Sequence, residues 1–391
     1  TTTSEASSTT PKAYTRPKEN KSSATGSPTK SPESPDIPDI PGIPEKPEKA
    51  GKNHKNPNTQ MKHYLQKLIN GETLSQEDTH QIMLGITQEQ YNVQQIAALL
   101  MAIQTRGVTV AEMLGFRQGL LDTGKYINLE DYNTLDIVGT GGDGKNTFNI
   151  STCSAFVIAG AGYKVTKHGN GGSTSVSGAS NVLAAHGVKF TDDEATLRRS
   201  LDEAGICYFH APLFAYGMKY VGPTRKAMAV PTCFNLLGPM VNPCHPKNSL
   251  HGTATQGQLR LYTNLHQKIG DNYGVITSYD GYDEISLTSG FKICTNYFEK
   301  VYTPKELGFN YIKPEEIYGG DTPETAKAIF DSVLEGTATE SQKSVILANA
   351  ACGITIMDPN LCIEESVAIA RESLESGKAL STFKKFVQLN S

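Results

Sequence analysis

The sequence predicts an α/β protein: a small N-terminal α-helical domain, then a large α/β domain whose mainly parallel central sheet is flanked by helices. Three observations carry that reading. From 61 to 130 the apolar residues recur at helical spacing. After 131, short apolar strands alternate with helices in βαβαβ order, which argues a parallel sheet covered on both faces. Glycine-rich turns follow the first two of those strands, at the carboxyl ends where open α/β sheets bind ligands.

Composition narrows the classes. The 391 residues are 38% hydrophobic, enough for a core of ordinary size, and a net charge of −4 offers no bulk basic surface for nucleic acid or membrane. No apolar run approaches the roughly 20 residues of a membrane span, and no apolar secretory core stands near the start. Seven cysteines (Cys153, Cys207, Cys233, Cys244, Cys294, Cys352, Cys362) make no Cys-x-x-Cys pair and lie mostly in apolar segments; they read as reduced buried thiols of a cytoplasmic protein.

Residues 1–60 hold ten of the twenty prolines and one aromatic, Tyr14. Such a segment cannot bury enough apolar surface to offset its ordering entropy, so a disordered tail or linker is expected. The helical domain, 61–130, follows. Leu65, Leu68 and Ile69 form one stripe, and Ser75-Gln76-Glu77-Asp78 is a helix start with acidic residues in the first turn. Val93, Ile96, Ala97, Leu100 and Met101 form the next stripe, closed by Gly107, and Val110 to Leu121 is a further helix. No polar cluster is expected to converge in this domain. In the α/β domain, 131–391, strands are expected at 135–138, 163–167, 206–209 and 273–278, with helices at 151–161, 177–186, 192–204 and 256–269. Thr322-Pro323 starts another helix, and two more end the chain.

The first turn, Gly139-Thr140-Gly141-Gly142-Asp143-Gly144-Lys145-Asn146, approaches two nucleotide-binding patterns and fits neither. A dinucleotide loop wants an acidic residue about 20 positions on, where Lys167 and His168 stand instead. A P-loop wants a magnesium-binding hydroxyl where Asn146 stands. What remains is a glycine turn with Thr147, Asn149, Ser151 and Thr152 at a helix N-terminus. Backbone N–H groups, helix dipole and short polar side chains there suit a di- or polyphosphate. The second turn, Lys167 to Ser175, is another cradle: Lys167 brings a point charge, and Asn170 can donate and accept. His168 reads equally as a hydrogen-bonded structural histidine. Asp283-Glu284 sets two carboxylates at the sheet's carboxyl edge, suited to Mg²⁺ that also bridges substrate phosphates.

Together these residues resemble the anthranilate phosphoribosyltransferase family of tryptophan biosynthesis, over nearly all of 61–391. The resemblance runs through Gly139-Thr-Gly-Gly-Asp143, Asn149-Ile-Ser-Thr152, Lys167-His-Gly-Asn170, Asn235-Leu-Leu-Gly-Pro-x-x-Asn-Pro243, Asp280-Gly-x-Asp-Glu-Ile-Ser286 and Ser376-Gly-Lys-Ala379. It implies the two-domain fold, a homodimer through the helical domain, and transfer of phosphoribose from phosphoribosyl pyrophosphate (PRPP) to the amine of anthranilate. It further implies PRPP on Gly139, Gly142, Asp143, Thr147, Asn149, Ile150, Ser151, Thr152, Lys167, Gly171, Gly172, Ser173, Thr174, Ser175 and Ala179. Ser151, Asp283 and Glu284 would hold Mg²⁺, two ions per site; Gly139, His168, Asn170 and Arg225 would meet anthranilate.

No strong general base stands out, and an unprotonated aniline nitrogen needs none. Three acceptor-side positions depart from the family pattern: Gly171 and Pro231 replace arginines, and Ala215-Tyr216-Gly217-Met218 stands where His-Pro-Ala-Met is usual. Two alternatives follow: a phosphoribosyltransferase for another aromatic amine, and a pyrimidine nucleoside phosphorylase. The second has no use for a magnesium–pyrophosphate clamp at Asp283-Glu284.

Overall fold

The computed structural model describes residues 56–172 and 178–391. The tail as far as residue 55, and Ser173, Thr174 and Ser175 of the second cradle, lie outside the described residues. The last residues of the expected tail are not tail: Pro57 to Gln60 are the first turn of α1 (Pro57–Ile69), started by Asn56 as N-cap with proline just inside it. Three more helices follow: α2 (Gln76–Thr87), α3 (Val93–Arg106) and α4 (Val110–Asp122). Reciprocal side-chain caps start each of them, Ser75 with Asp78, Asn92 with Gln95, and Thr109 with Glu112. Each cap contributes about 1 kcal/mol by satisfying otherwise orphaned N–H groups.

Two expectations for this unit need correction. Ile69 is 74% exposed, and Val93 and Met101 are exposed too; the buried faces are Met61, Tyr64 and Leu68 in α1, and Ile96, Leu99, Leu100 and Ile103 in α3. A polar cluster does converge. The fully buried Glu112 carboxylate accepts from Arg106, from the Thr109 N–H and, at 2.9 Å, from the Leu74 N–H. It ties α4 to the turn before α2.

Among the described residues seven strands form one sheet: β1 (Thr134–Gly139), β2 (Lys164–Gly169), β3 (Ile206–His210), β4 (Asn248–Gly252), β5 (Asn272–Ser278), β6 (Phe291–Thr295) and β7 (Glu299–Tyr302). Their order is β3-β2-β1-β4-β5-β6-β7, parallel from β3 to β5 and antiparallel at β6 and β7. The strand order reverses between β1 and β4, and the crevice above that switch point is where such sheets bind ligands.

Helices cover both faces. On one side lie α5 (Ile150–Gly160), α10 (Pro323–Leu334), α11 (Glu340–Met357), α12 (Ile363–Glu375) and α13 (Lys378–Asn390), around a core that includes Leu135, Ile137, Phe156, Leu250 and Leu347. Three helices, not two, follow α10. The opposite face carries α9 (Gln256–Ile269) and a pair of 3-10 turns at 233–240. Its core, with Phe116, Phe234, Tyr262 and Val275, runs on into α1 to α4 and α8 (Met218–Met228). The remaining α6 (Ala179–Ala185) and α7 (Glu194–Ala204) follow β2 and precede β3.

Candidate active site

The first cradle leaves β1 through three glycines in the left-handed region, Gly141, Gly142 and Gly144 (φ 70, 74 and 73°). It enters α5 through Asn149, whose side chain caps the Thr152 N–H at 3.3 Å. Its outer wall is tied to a distant loop: Phe148 N–H donates to Ile317 O, Thr147 bridges Tyr318, and Asn146 Nδ2 donates to Gly320 O at 2.9 Å.

Asp283 and Glu284 arrive on this cradle from the turn after β5. Asp283 accepts from the Gly141 N–H at 2.6 Å, and Glu284 from the Ser151 N–H at 3.0 Å. Two glycines make the approach possible. A Cβ on Gly139 would lie 2.3 Å from Asp283 Oδ2, and one on Gly252 1.6 Å from the Asp283 carbonyl oxygen. Lys167 reaches the same point from β2: its buried ammonium donates to Ile137 O at 2.6 Å and to Ser151 Oγ at 3.3 Å. Burial pushes both acidic side chains up, and their mutual repulsion with nearby Asp143 adds to it; Lys167 and the Ser151 N–H pull Glu284 back down. Burial lowers the Lys167 ammonium to about 8 despite the neighbouring Asp136 and Glu284.

Asp283, Glu284 and Ser151 form an all-oxygen donor set at a helix N-terminus, with two crowded carboxylates that a hard cation would relieve. They fit Mg²⁺ shared with substrate oxygens. Among the described residues no group of three or more His, Cys, Asp or Glu is placed to hold a metal by itself. Several buried polar atoms of the cradle have no partner among the described residues: Thr140 Oγ1, Asn149 Nδ2 and Thr152 Oγ1. A buried polar group left unpaired costs about 1–3 kcal/mol, so a cluster of them marks a surface shaped for a polar ligand. Thr140 was absent from the residues assigned above; its place inside the glycine turn was the available signal.

The second cradle begins inside β2, which continues to His168 and Gly169. Asn170 is exposed, its Oδ1 accepting from the Gly171 N–H at 2.8 Å and its carbonyl from the Ser180 N–H. Gly172 N–H donates to Asn181 Oδ1 at 2.9 Å, and Ala179 opens α6. Gly171 now has a local reason: a Cβ there would sit 3.1 Å from that same Asn181 oxygen.

His168 is buried, with Nε2 unpartnered. Burial, and after it the Lys167 and His210 charges, hold the imidazole down to about 4 from an ordinary 6.5, against the Gly238 carbonyl that favours its protonation. Arg225, on α8, is half-buried with its Nε unpartnered, and burial lowers it as well. It makes no hydrogen bond to His168 or Asn170; its neighbour is Cys233, in the segment that continues to Gly238. Tyr216 and Pro231 are exposed. All seven cysteines are free thiols, six buried and Cys362 exposed.

The depressed His168 basicity has a consequence for acid stability. Folding favours the neutral ring, so its contribution is present above about pH 6.5 and lost as pH falls through about 4, by about 3 kcal/mol. Urea unfolding of His168→Gln and the parent at pH 7 and pH 4 should show the gap between them shift by that amount in favour of the variant at pH 4. A gap independent of pH would contradict the burial of a neutral ring.

Residues 131–380 match the glycosyl transferase family a/b domain, and residues 62–124 its helical bundle domain. Over 331 residues the chain is 57% identical to the anthranilate phosphoribosyltransferase of Phocaeicola vulgatus, covering 85% of this chain and all of that protein. The chain belongs to the anthranilate phosphoribosyltransferase family. The Bacteroides fragilis enzyme of that name is 52% identical over 84% of the chain and all of its own length. Among solved structures of the family, the Thermus thermophilus enzyme superposes with TM-score 0.78 at 29% identity, over 83% of this chain and 98% of that one. The Saccharomyces cerevisiae enzyme, crystallised with PRPP and Mg, gives 0.79 at 26%, over 85% and 98%. Among the described residues no helix is long and apolar enough to cross a membrane.

Proposed function

We infer that the crevice above the β1–β4 switch point carries the family's reaction: transfer of phosphoribose from PRPP to the amine of anthranilate, releasing N-(5-phosphoribosyl)anthranilate and pyrophosphate. The observation that carries this is the meeting of Asp283 and Glu284 with the Gly141 and Ser151 N–H groups. Pyrophosphate would lie along the cradle, held by Gly139, Gly142, Asp143, Thr147, Asn149, Ile150, Ser151 and Thr152. Lys167, Gly171, Gly172, the 173–175 segment and Ala179 would hold the rest of PRPP. When bound at Ser151, Asp283 and Glu284, Mg²⁺, two ions per site, supplies charge neutralisation for the departing pyrophosphate.

The reaction breaks the bond from ribose C1 to pyrophosphate oxygen and forms one from C1 to the amine nitrogen. The protein's share is positioning and fixed dipoles, set where charge develops. The Asn149 amide, the Thr152 hydroxyl and the α5 N-terminus suit that role. Gly139, His168, Asn170 and Arg225 would receive anthranilate. A neutral His168 adds no repulsion toward a departing proton, and Arg225 offers a fork matched to the carboxylate. Exposed Ile69, Val93 and Met101 on α1 and α3 support a homodimer through the helical unit, and free cysteines support a cytoplasmic setting.

Arg225→Ala tests the acceptor pocket. It should raise the KM for anthranilate about 30-fold, as loss of a charge-assisted pair would, with the KM for PRPP little changed. An unchanged anthranilate KM would remove Arg225 from the pocket.

A further inference from the structure

We propose that Asp136 is a positioning residue for the acceptor side, acting through His168 and Asn242; the inference rests on the acceptor pocket proposed above. Backbone pairing between β1 and β2 runs Thr134↔Lys164 and Leu135↔Val165 and goes no further, whereas β2 stays paired with β3 as far as Gly169. Beyond Leu135 the two strands under the crevice are joined by side chains, one on each face of the sheet. On the α5 face Lys167 donates to the Ile137 carbonyl. On the opposite face the fully buried Asp136 accepts from the His168 N–H, Oδ1 to N, at 3.1 Å.

The second Asp136 oxygen, Oδ2, accepts from Asn242 Nδ2 at 2.9 Å. Asn242 cannot turn over to suit another partner. Its Nδ2 also donates to Thr166 O at 2.8 Å, and its Oδ1 accepts from the Cys244 N–H at 3.1 Å. Asp136 therefore fastens three pieces: β1, the end of β2 that becomes His168-Gly169-Asn170, and the 235–243 segment whose Gly238 carbonyl faces the His168 ring. A buried carboxylate is an expensive way to join strands that backbone bonds could join. It is the side chain with two acceptors and no donor, and both neighbours here present donors. Lys167 makes its hydrogen bonds on the PRPP and metal face, whereas the Asp136 hydrogen bonds bear on where His168 and Asn170 stand toward the amine.

Asp136→Asn keeps the shape and turns one acceptor into a donor that must oppose either the His168 N–H or the Asn242 amide. Expected is an anthranilate KM raised about tenfold, with the PRPP KM rising by no more than about threefold, since Asp136 is also a charge neighbour of Lys167. Asn242→Ala cuts the same fastening from the other side and should reproduce the split if Asp136→Asn fails to fold. An unchanged anthranilate KM in both variants, or a PRPP KM rising in step with it, would overturn the proposal. Arg225→Ala run alongside separates the two ideas. If its anthranilate KM is unchanged the acceptor pocket itself is misplaced; if it responds and Asp136→Asn does not, only the role of Asp136 falls.

Discussion

Glu284→Ala should lose about 10³-fold in kcat, roughly 4 kcal/mol of transition-state stabilisation, while remaining folded. The size follows from the charge that must be met: departing pyrophosphate gathers negative charge beside Asp283 and Glu284, two carboxylates already raised by burial and by the nearby Asp143. Without a cation shared between carboxylates and pyrophosphate, that cluster opposes the reaction. Folding should survive, because the carboxylate bonds Ser151 alone among the described residues, the Ser278 hydroxyl's bond to the Glu284 carbonyl is kept, and losing the charge relieves repulsion on buried Asp283. Mg²⁺ titration of kcat and thermal unfolding with and without Mg²⁺ and PRPP would check both halves. The parent should gain thermal stability from the pair of ligands and the variant little. A kcat within threefold of the parent would sink the metal assignment.

Gly252→Ala should be nearly as damaging for a purely steric reason. The new Cβ would lie 1.6 Å from the Asp283 carbonyl oxygen and 2.7 Å from its carbon, main-chain atoms that cannot rotate aside. The 280–284 turn must lift off the end of β4, carrying both carboxylates away from Gly141 and Ser151. We expect about 10²-fold loss of activity and about 1–3 kcal/mol of stability, as for overpacking a well-filled site. Gly257→Ala is the control. It lies in α9 with only Thr255 Oγ1 at 3.8 Å, so alanine should be neutral or stabilise by about 0.5–1 kcal/mol. Parallel kcat and urea-unfolding measurements would decide; a fully active Gly252→Ala would mean the clamp is not seated as described.

Gly252 also shows where sequence reading stops. The two cradles were legible because glycines and short polar residues at strand–helix junctions have few other uses. The caps of α2, α3 and α10 were legible because capping is local chemistry. β4 was not: Asn248-Ser-Leu-His-Gly252 has one aliphatic residue, yet every position is buried, its polar side chains satisfied by neighbours that only the fold supplies. Asn248 donates to Asn133 and to the Thr134 carbonyl, and His251 meets His266. Because β4 was hidden, the switch point and the seat of Asp283 were hidden with it. Asp136 was missed for the opposite reason, being one polar residue in a strand that reads as apolar. The helical stripes failed at their edges: periodicity finds a face, but how wide a face is buried depends on the partner, which left Ile69, Val93 and Met101 outside. The charge of Lys167 was legible; its hydrogen bonds to the Ile137 carbonyl and the Ser151 hydroxyl, which depend on β1 and α5 lying beside β2, were not.

The central claim is that this crevice joins PRPP to anthranilate with help from Mg²⁺. The most direct test follows the fluorescence of anthranilate with the purified protein, PRPP and Mg²⁺, while pyrophosphate is measured in the same samples. The account predicts loss of anthranilate matched one-for-one by pyrophosphate, abolished by chelating Mg²⁺ and in Glu284→Ala. Pyrophosphate release with a different aromatic amine but not with anthranilate would contradict it, as would release of thymine from thymidine and inorganic phosphate in the absence of PRPP.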